Sequence, residues 1–182
     1  MNRMTIALAI LLTTLSSQSA WALGELIGGD LSFKGVVVAY PCSIAPESER
    51  VPVDFGNIST KSLYINGKTT PIPFTIKLQD CNPSVLSTVT VTFSGTPNAE
   101  LADRLQITAS APGNASGVGI GLLEADDTPV RLNIATTPAP INDTILQLNF
   151  KAFVEAEPVA LANGTLATGP FTATANYTLN YQ

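Results

Sequence analysis

Histidine is absent from all 182 residues of this chain. That absence removes every Ser-His-Asp or Cys-His nucleophilic arrangement, and every His-ligated zinc site with it. Charge is scarce too. Only 13% of residues are charged, 9 basic against 14 acidic, for a net charge of −5. A nucleic-acid binder needs a basic face to neutralise phosphate, and this composition supplies none. Two cysteines are too few for a protein-held metal site without further ligands. No metal, cofactor or catalytic residue is therefore expected. With 45% hydrophobic residues the chain is too apolar for intrinsic disorder, and its length suits one domain with a proper core.

The N-terminus reads as a secretory signal over residues 1–22. Arg3 gives a positive start, Thr5–Leu15 is an apolar run of 11 residues, and Ala20-Trp21-Ala22 places small residues at −3 and −1 for cleavage after Ala22. Cleavage after Ala20 would put the larger Gln18 at −3. The run is well short of the roughly 20 residues that span a bilayer. Export leads to an oxidising compartment, where Cys42 and Cys81 read most simply as one disulfide, two buried free thiols being the alternative. Closing a loop of that span removes unfolded-state entropy worth about 4 kcal/mol in the chain-entropy model.

The rest of the chain alternates with a period of two and offers no convincing helix. The clearest strand is Phe171–Tyr181: Phe171, Ala173, Ala175, Tyr177, Leu179 and Tyr181 share one face, and Thr and Asn residues fill the other. Leu146, Leu148, Phe150 and Ala152 form a second such face, and Val89, Val91 and Phe93 a third. Weaker candidates are Val51–Phe55, Phe74–Leu78, Leu105–Thr108, Val118–Leu123 and Val130–Ile134. Asn66-Gly67, Asn163-Gly164 and Pro112–Asn114 supply turn chemistry between the runs, and 13 prolines disfavour helix. The expectation is one all-β domain, an antiparallel sandwich. Near the mature N-terminus, Leu31, Phe33, Gly35 and Val37 alternate with Ser32, Lys34, Val36 and Val38 behind a loose glycine-rich start. This is either a first strand of the sandwich or a strand carried for insertion into another molecule.

Taken in order, these features resemble a chaperone–usher pilin of the type 1 and P-pilus kind. The resemblance rests on Gly-Gly-Asp-Leu-Ser-Phe-Lys-Gly-Val-Val-Val at 28–38, Cys42 soon after it, Val53-Asp54-Phe55-Gly56, Cys81, Gly169 fourteenth from the C-terminus and Tyr181 as the penultimate residue. It implies an incomplete immunoglobulin-like β-sandwich lacking its last strand, completed by a donor strand from a neighbouring subunit or a chaperone. It further implies a donor-strand extension at 23–35, with Leu31, Phe33 and Val37 filling a groove and Gly35 meeting a shallow part of it, followed by a pilin domain at 36–182. Phe171–Tyr181 would form one groove wall, and Gly169, Phe171, Tyr177, Leu179 and Tyr181 the C-terminal strand recognised by chaperone and usher. The C-terminal carboxylate of Gln182 would anchor chaperone basic residues. The implied partners are a periplasmic chaperone, an outer-membrane usher and other pilus subunits. The implied location is the cell surface, reached through the periplasm, in a fimbrium that supports adhesion.

Other clusters read as structure. Glu124, Asp126 and Asp127 lack calcium-loop spacing and read as an exposed turn. The glycine-rich 113–121 lacks a dinucleotide fingerprint and reads as a loop entering a strand. Sequons are headed by Asn57, Asn114, Asn142, Asn163 and Asn176; the pilin resemblance implies a bacterial source, so they read as chance in a Thr/Asn-rich chain. Two alternatives to a structural subunit stand beside it. One is a carbohydrate-binding adhesin module on the same fold, for which the chain has no room beyond one domain. The other is a two-carboxylate glycosidase using Glu155 and Glu157, a pair that at a strand end is normally just solvated.

Overall fold

Wherever a period-two run finds a neighbour, it becomes a strand. The computed structural model describes residues 28–37, 40–108 and 113–182. The expected signal segment, the first residues of the extension, Val38 and Pro112 lie outside them. The chain divides between Val37 and Val38 into two units.

In the first unit, residues 28–37 form neither helix nor strand and every one is exposed. Leu31 is 84% exposed, Phe33 89% and Val37 101%. Nothing lies within 4 Å of the position a Cβ on Gly35 would take.

The second unit holds nine strands among the described residues: β1 (Ser43–Ile44), β2 (Ile72–Gln79), β3 (Thr88–Ser94), β4 (Leu105–Gln106), β5 (Val118–Glu124), β6 (Pro129–Val130), β7 (Ala139–Pro140), β8 (Leu146–Ala156) and β9 (Asn176–Tyr181). One sheet runs β1-β2-β8-β5-β4 with β6 beside β5, and the other runs β7-β3-β9. All the pairings are antiparallel. The sheets pack face to face because each strand turns its apolar alternation inward: Ile76 and Leu78 of β2, Leu148 and Phe150 of β8 and Leu122 of β5 meet Val89, Val91 and Phe93 of β3. Phe93 stands edge-on to Phe150 with centroids 5.0 Å apart, a favourable aromatic geometry. A second cluster, including Leu63, Leu105, Val118, Ile120 and Val154, continues the core toward the other end. The Cys42–Cys81 disulfide is formed, its cysteines 6% and 4% exposed within the first cluster.

Several local expectations change, among them two expected strands that shorten, Phe171–Tyr181 to Asn176–Tyr181 and Leu105–Thr108 to Leu105–Gln106. Asn66-Gly67 and Asn163-Gly164 end two short helices, α1 (Thr60–Asn66) and α2 (Pro158–Asn163), rather than linking strands. Gly67 at φ 73° and Gly164 at φ 66° take the left-handed conformation that stops a helix, and Pro158 starts α2 where its missing N–H costs nothing. The Val130–Ile134 run is a strand only over Pro129–Val130, because the chain then turns through Asn133 at φ 63°. Val51–Phe55 alternates in burial as a strand would, yet it has no ladder partner among the described residues.

Candidate functional site: an apolar groove beside a free strand edge

Among the described residues strand β9 has one sheet neighbour, β3, with Val89 opposite Tyr181, Val91 opposite Leu179 and Phe93 opposite Tyr177. The hydrogen-bond parity follows from the end of this ladder. Gln182 donates its N–H to the Thr88 carbonyl at 3.0 Å and accepts from the Thr88 N–H at 2.9 Å. In an antiparallel pair the residues that exchange bonds alternate with residues whose N–H and C=O point the other way. Asn176, Thr178 and Asn180 therefore bond to β3. Tyr177, Leu179 and Tyr181 present their backbone groups outward, along an edge that no described strand covers.

Beside that edge lies a groove of about 1490 Å³. One lip is 166–177 and the other is 49–58, while Leu63, Phe74, Ile76, Leu105, Ile120 and Val154 are among the residues of its floor. On both lips the burial alternates: Val51, Val53 and Phe55 on one, and Phe171, Ala173, Ala175 and Tyr177 on the other, are half-buried while their sequence neighbours are exposed. Two contacts cross between the two sides, one of them from the end of the first lip to the residue just before the second. The Tyr177 hydroxyl donates to the Ser48 carbonyl at 2.6 Å, and the Phe55 and Phe171 rings lie 6.3 Å apart. Burial, with the nearby Glu49 charge, pushes the Tyr177 hydroxyl above its ordinary pKa; burial, with Tyr177 beside it, does the same for Tyr181.

Gly169, Phe171 and Tyr177 thus lie on the groove's lip, and Tyr177, Leu179 and Tyr181 along the free edge that continues from it. Gly169 has a local reason to be glycine. Its φ is 145°, and a Cβ would run into the Gly113 carbonyl oxygen and lie 2.8 Å from the Asn114 backbone. A main-chain oxygen of Gln182 accepts from the Ser87 and Thr88 N–H groups, both at 2.9 Å, which ties the C-terminal residue to the start of β3. Leu31, Phe33, Gly35 and Val37 all lie in the exposed 28–37 segment. The opposing lip, Val51–Phe55, went unrecognised as part of a site, although its alternation was the available signal. Nothing in the sequence marks Ser48.

The acidic candidates have structural partners. Glu155 is not simply solvated: Arg104 Nε lies 2.6 Å from its Oε2, and the Arg104 guanidinium stands 5.1 Å over the Phe153 ring. Glu157 accepts from the Asn98 side-chain amide at 2.7 Å. Glu124, Asp126 and Asp127 form the expected turn, in which Thr128 N–H donates to Asp126 and holds its carboxyl below the usual value, while Lys151 reaches Asp127 at 2.7 Å. No group of three or more metal-ligating side chains occurs among the described residues. The glycine-rich stretch does enter a strand, and a Cβ on Gly121 would collide with the Phe153 ring.

A sandwich of two antiparallel sheets with one uncovered edge over an apolar groove is an incomplete immunoglobulin-like fold, the class of pilus subunits. The chain belongs to the fimbrial protein family, whose family model matches residues 31–182, and it is a structural pilus subunit. It is 37% identical over 182 residues to the putative minor fimbrial subunit PmfF of Proteus mirabilis, covering 100% of both chains. To the fimbria A protein of Serratia marcescens it is 40% identical over 154 residues, 85% of this chain and 84% of that one. A solved chaperone–usher pilus structure, described for rod uncoiling, superposes with a TM-score of 0.67 at 27% identity, covering 87% of this chain and 98% of that chain. The adhesin alternative is not favoured by these likenesses.

Proposed function

We propose that this subunit polymerises by donor-strand exchange: its groove takes a strand from another molecule along β9, and its own segment 23–35, with Val37 just beyond, is the strand it gives. The observation that carries the reading is the outward backbone edge of Tyr177, Leu179 and Tyr181 beside an apolar groove. Such an edge over apolar surface invites strand addition and aggregates unless covered. Leu31, Phe33 and Val37 are apolar, regularly spaced and exposed, and burying each stabilises by about 1.5–3 kcal/mol besides the ladder bonds. Gly35 brings no side chain to the place where the two backbones come closest. By the same reading a periplasmic chaperone covers the groove first and an outer-membrane usher exchanges it for the next subunit, with Gly169 through Tyr181 as the strand they recognise. The product is a fimbrium at the cell surface, and the subunit acts by assembly, with no catalytic step.

The test is a thermal melt of residues 36–182, disulfide intact, with and without a synthetic peptide of residues 24–38. The expected result is a low, broad transition that becomes cooperative and much higher with peptide. A truncated domain that melts cooperatively and ignores the peptide overturns the reading.

A further inference from the structure

The groove is flanked by a second strand, and its edge is closed. We infer that Pro73 and Ser48 steer an incoming donor strand to β9 by denying it the edge of β2; this rests on the donor-strand reading above, and the occupant is segment 28–37 of a second copy of this chain. That segment contains no proline, and its Leu31-Phe33-Gly35-Val37 face carries no charge, so it can form a ladder with any edge that offers alternate amides.

The parity of β2 is fixed from both sides. Val154 of β8 accepts from Thr69 N–H at 2.9 Å and Ala156 donates to the Gly67 carbonyl at 2.8 Å, so the even residues of β8 face the β2 side. On the far side Ala45 donates to the Lys77 carbonyl at 3.0 Å, so the odd residues of β2 face outward. The register of β2 on β8 is unbroken from Ile72 to Leu78. The outward positions toward the groove are therefore 73, 75 and 77. Pro73 has no N–H to give. Lys77 N–H is already donated to Ser48 Oγ at 2.8 Å, and its carbonyl is held by Ala45. Of these three only Thr75 presents both groups, between a position without an N–H and one whose N–H is already taken. On β9 the corresponding positions, Tyr177, Leu179 and Tyr181, each present both.

Ser48 acts on both edges. It is 1% exposed; its hydroxyl caps β2, and its carbonyl accepts the Tyr177 hydroxyl on the opposite sheet. The chain that covers the C-terminal end of the β2 edge through β1 leaves it after Ser48 and continues as the lip 49–58. The open slot is thereby placed against β9.

The test uses the full mature chain with a synthetic peptide of residues 28–37, reading stoichiometry and hydrogen exchange at single amides. Wild type should take one peptide and show at least about tenfold slower exchange at Tyr177, Leu179 and Tyr181, with Thr75 unchanged. Pro73→Ala should add slowed exchange at positions 73 and 75 and a second peptide equivalent. Pro73→Val restores the same N–H on a stronger strand former, and Ser48→Ala frees Lys77 N–H, so either should add protection on β2 even where the alanine variant folds poorly. If all three variants bind one peptide with the wild-type pattern, the steering inference falls and the donor-strand reading stands. If wild type itself shows no protection at β9, the donor-strand reading has failed, and the inference with it.

Discussion

Strands β3 and β9 lie side by side in one sheet and carry the same alternation, yet they are buried very differently. Val89, Val91 and Phe93 of β3 are 1%, 1% and 3% exposed, while Tyr177, Leu179 and Tyr181, directly opposite them, are only half-buried. Composition does not explain the difference, since both faces are apolar and large. β3 is paired on both sides, by β7 and β9, whereas β9 is paired on one. Burial here is set by the number of neighbours, so the half-burial of β9 measures a neighbour that must come from outside. The same holds for Val51–Phe55, which alternates like a strand and has no ladder partner among the described residues.

The contrast can be broken from its closed side first. Phe150→Ala empties the aromatic cluster with Phe74 and Phe93 and should cost about 3–5 kcal/mol in urea unfolding, by the same amount with or without donor peptide. Leu179→Ala should behave differently: about 1–2 kcal/mol in the subunit alone, where the side chain is half-buried, and more once a strand covers it. An equal cost in both states would mean that the groove does not close over Leu179. Gly169→Ala acts on the open lip through the backbone, and a loss of about 1–3 kcal/mol is expected from the left-handed φ and the clash with Gly113. A wild-type melt for that variant would show that the 113–114 loop yields freely. The smallest effect is in pH. Tyr177 and Tyr181 titrate above their ordinary value of about 10 when folded, so their contribution is complete below pH 10 and falls as pH rises through the folded values. The urea midpoint should therefore decline above pH 10, less steeply in Tyr177→Phe, and adding donor peptide should push the decline to higher pH.

Much of this was legible in the sequence, and the exceptions have physical causes. The face of Phe171–Tyr181 alternates in the structure residue for residue, because a half-buried strand writes its environment in single steps. The ladder begins only at Asn176, since before that residue the chain bonds elsewhere, Thr108 N–H donating to the Thr172 carbonyl. The two helices escaped notice because each is under two turns long, too short to display a 3.6-residue period. Asn-Gly serves a hairpin and a helix end equally well, since both need a residue that tolerates positive φ. The links made by Ser48 and the Asn98–Glu157 contact leave no sequence pattern, because each joins residues far apart in the chain through single hydrogen bonds.

The disulfide has a mechanical side. Cys42 follows the proposed donor extension in sequence, and its bond to Cys81 reaches past the end of β2, so tension arriving along that extension would bypass residues 43–80. Asn82 N–H, donating to the Pro41 carbonyl at 2.6 Å, and Cys81 N–H, donating to the Thr144 carbonyl at 3.0 Å, spread that pull into the neighbouring chain. In a filament of donated strands, that stretch of each subunit would be shielded from the load by one covalent link. Stretching such a filament should slide strands out of grooves before it unravels any subunit from its N-terminal end, and reducing the disulfide should reverse that order.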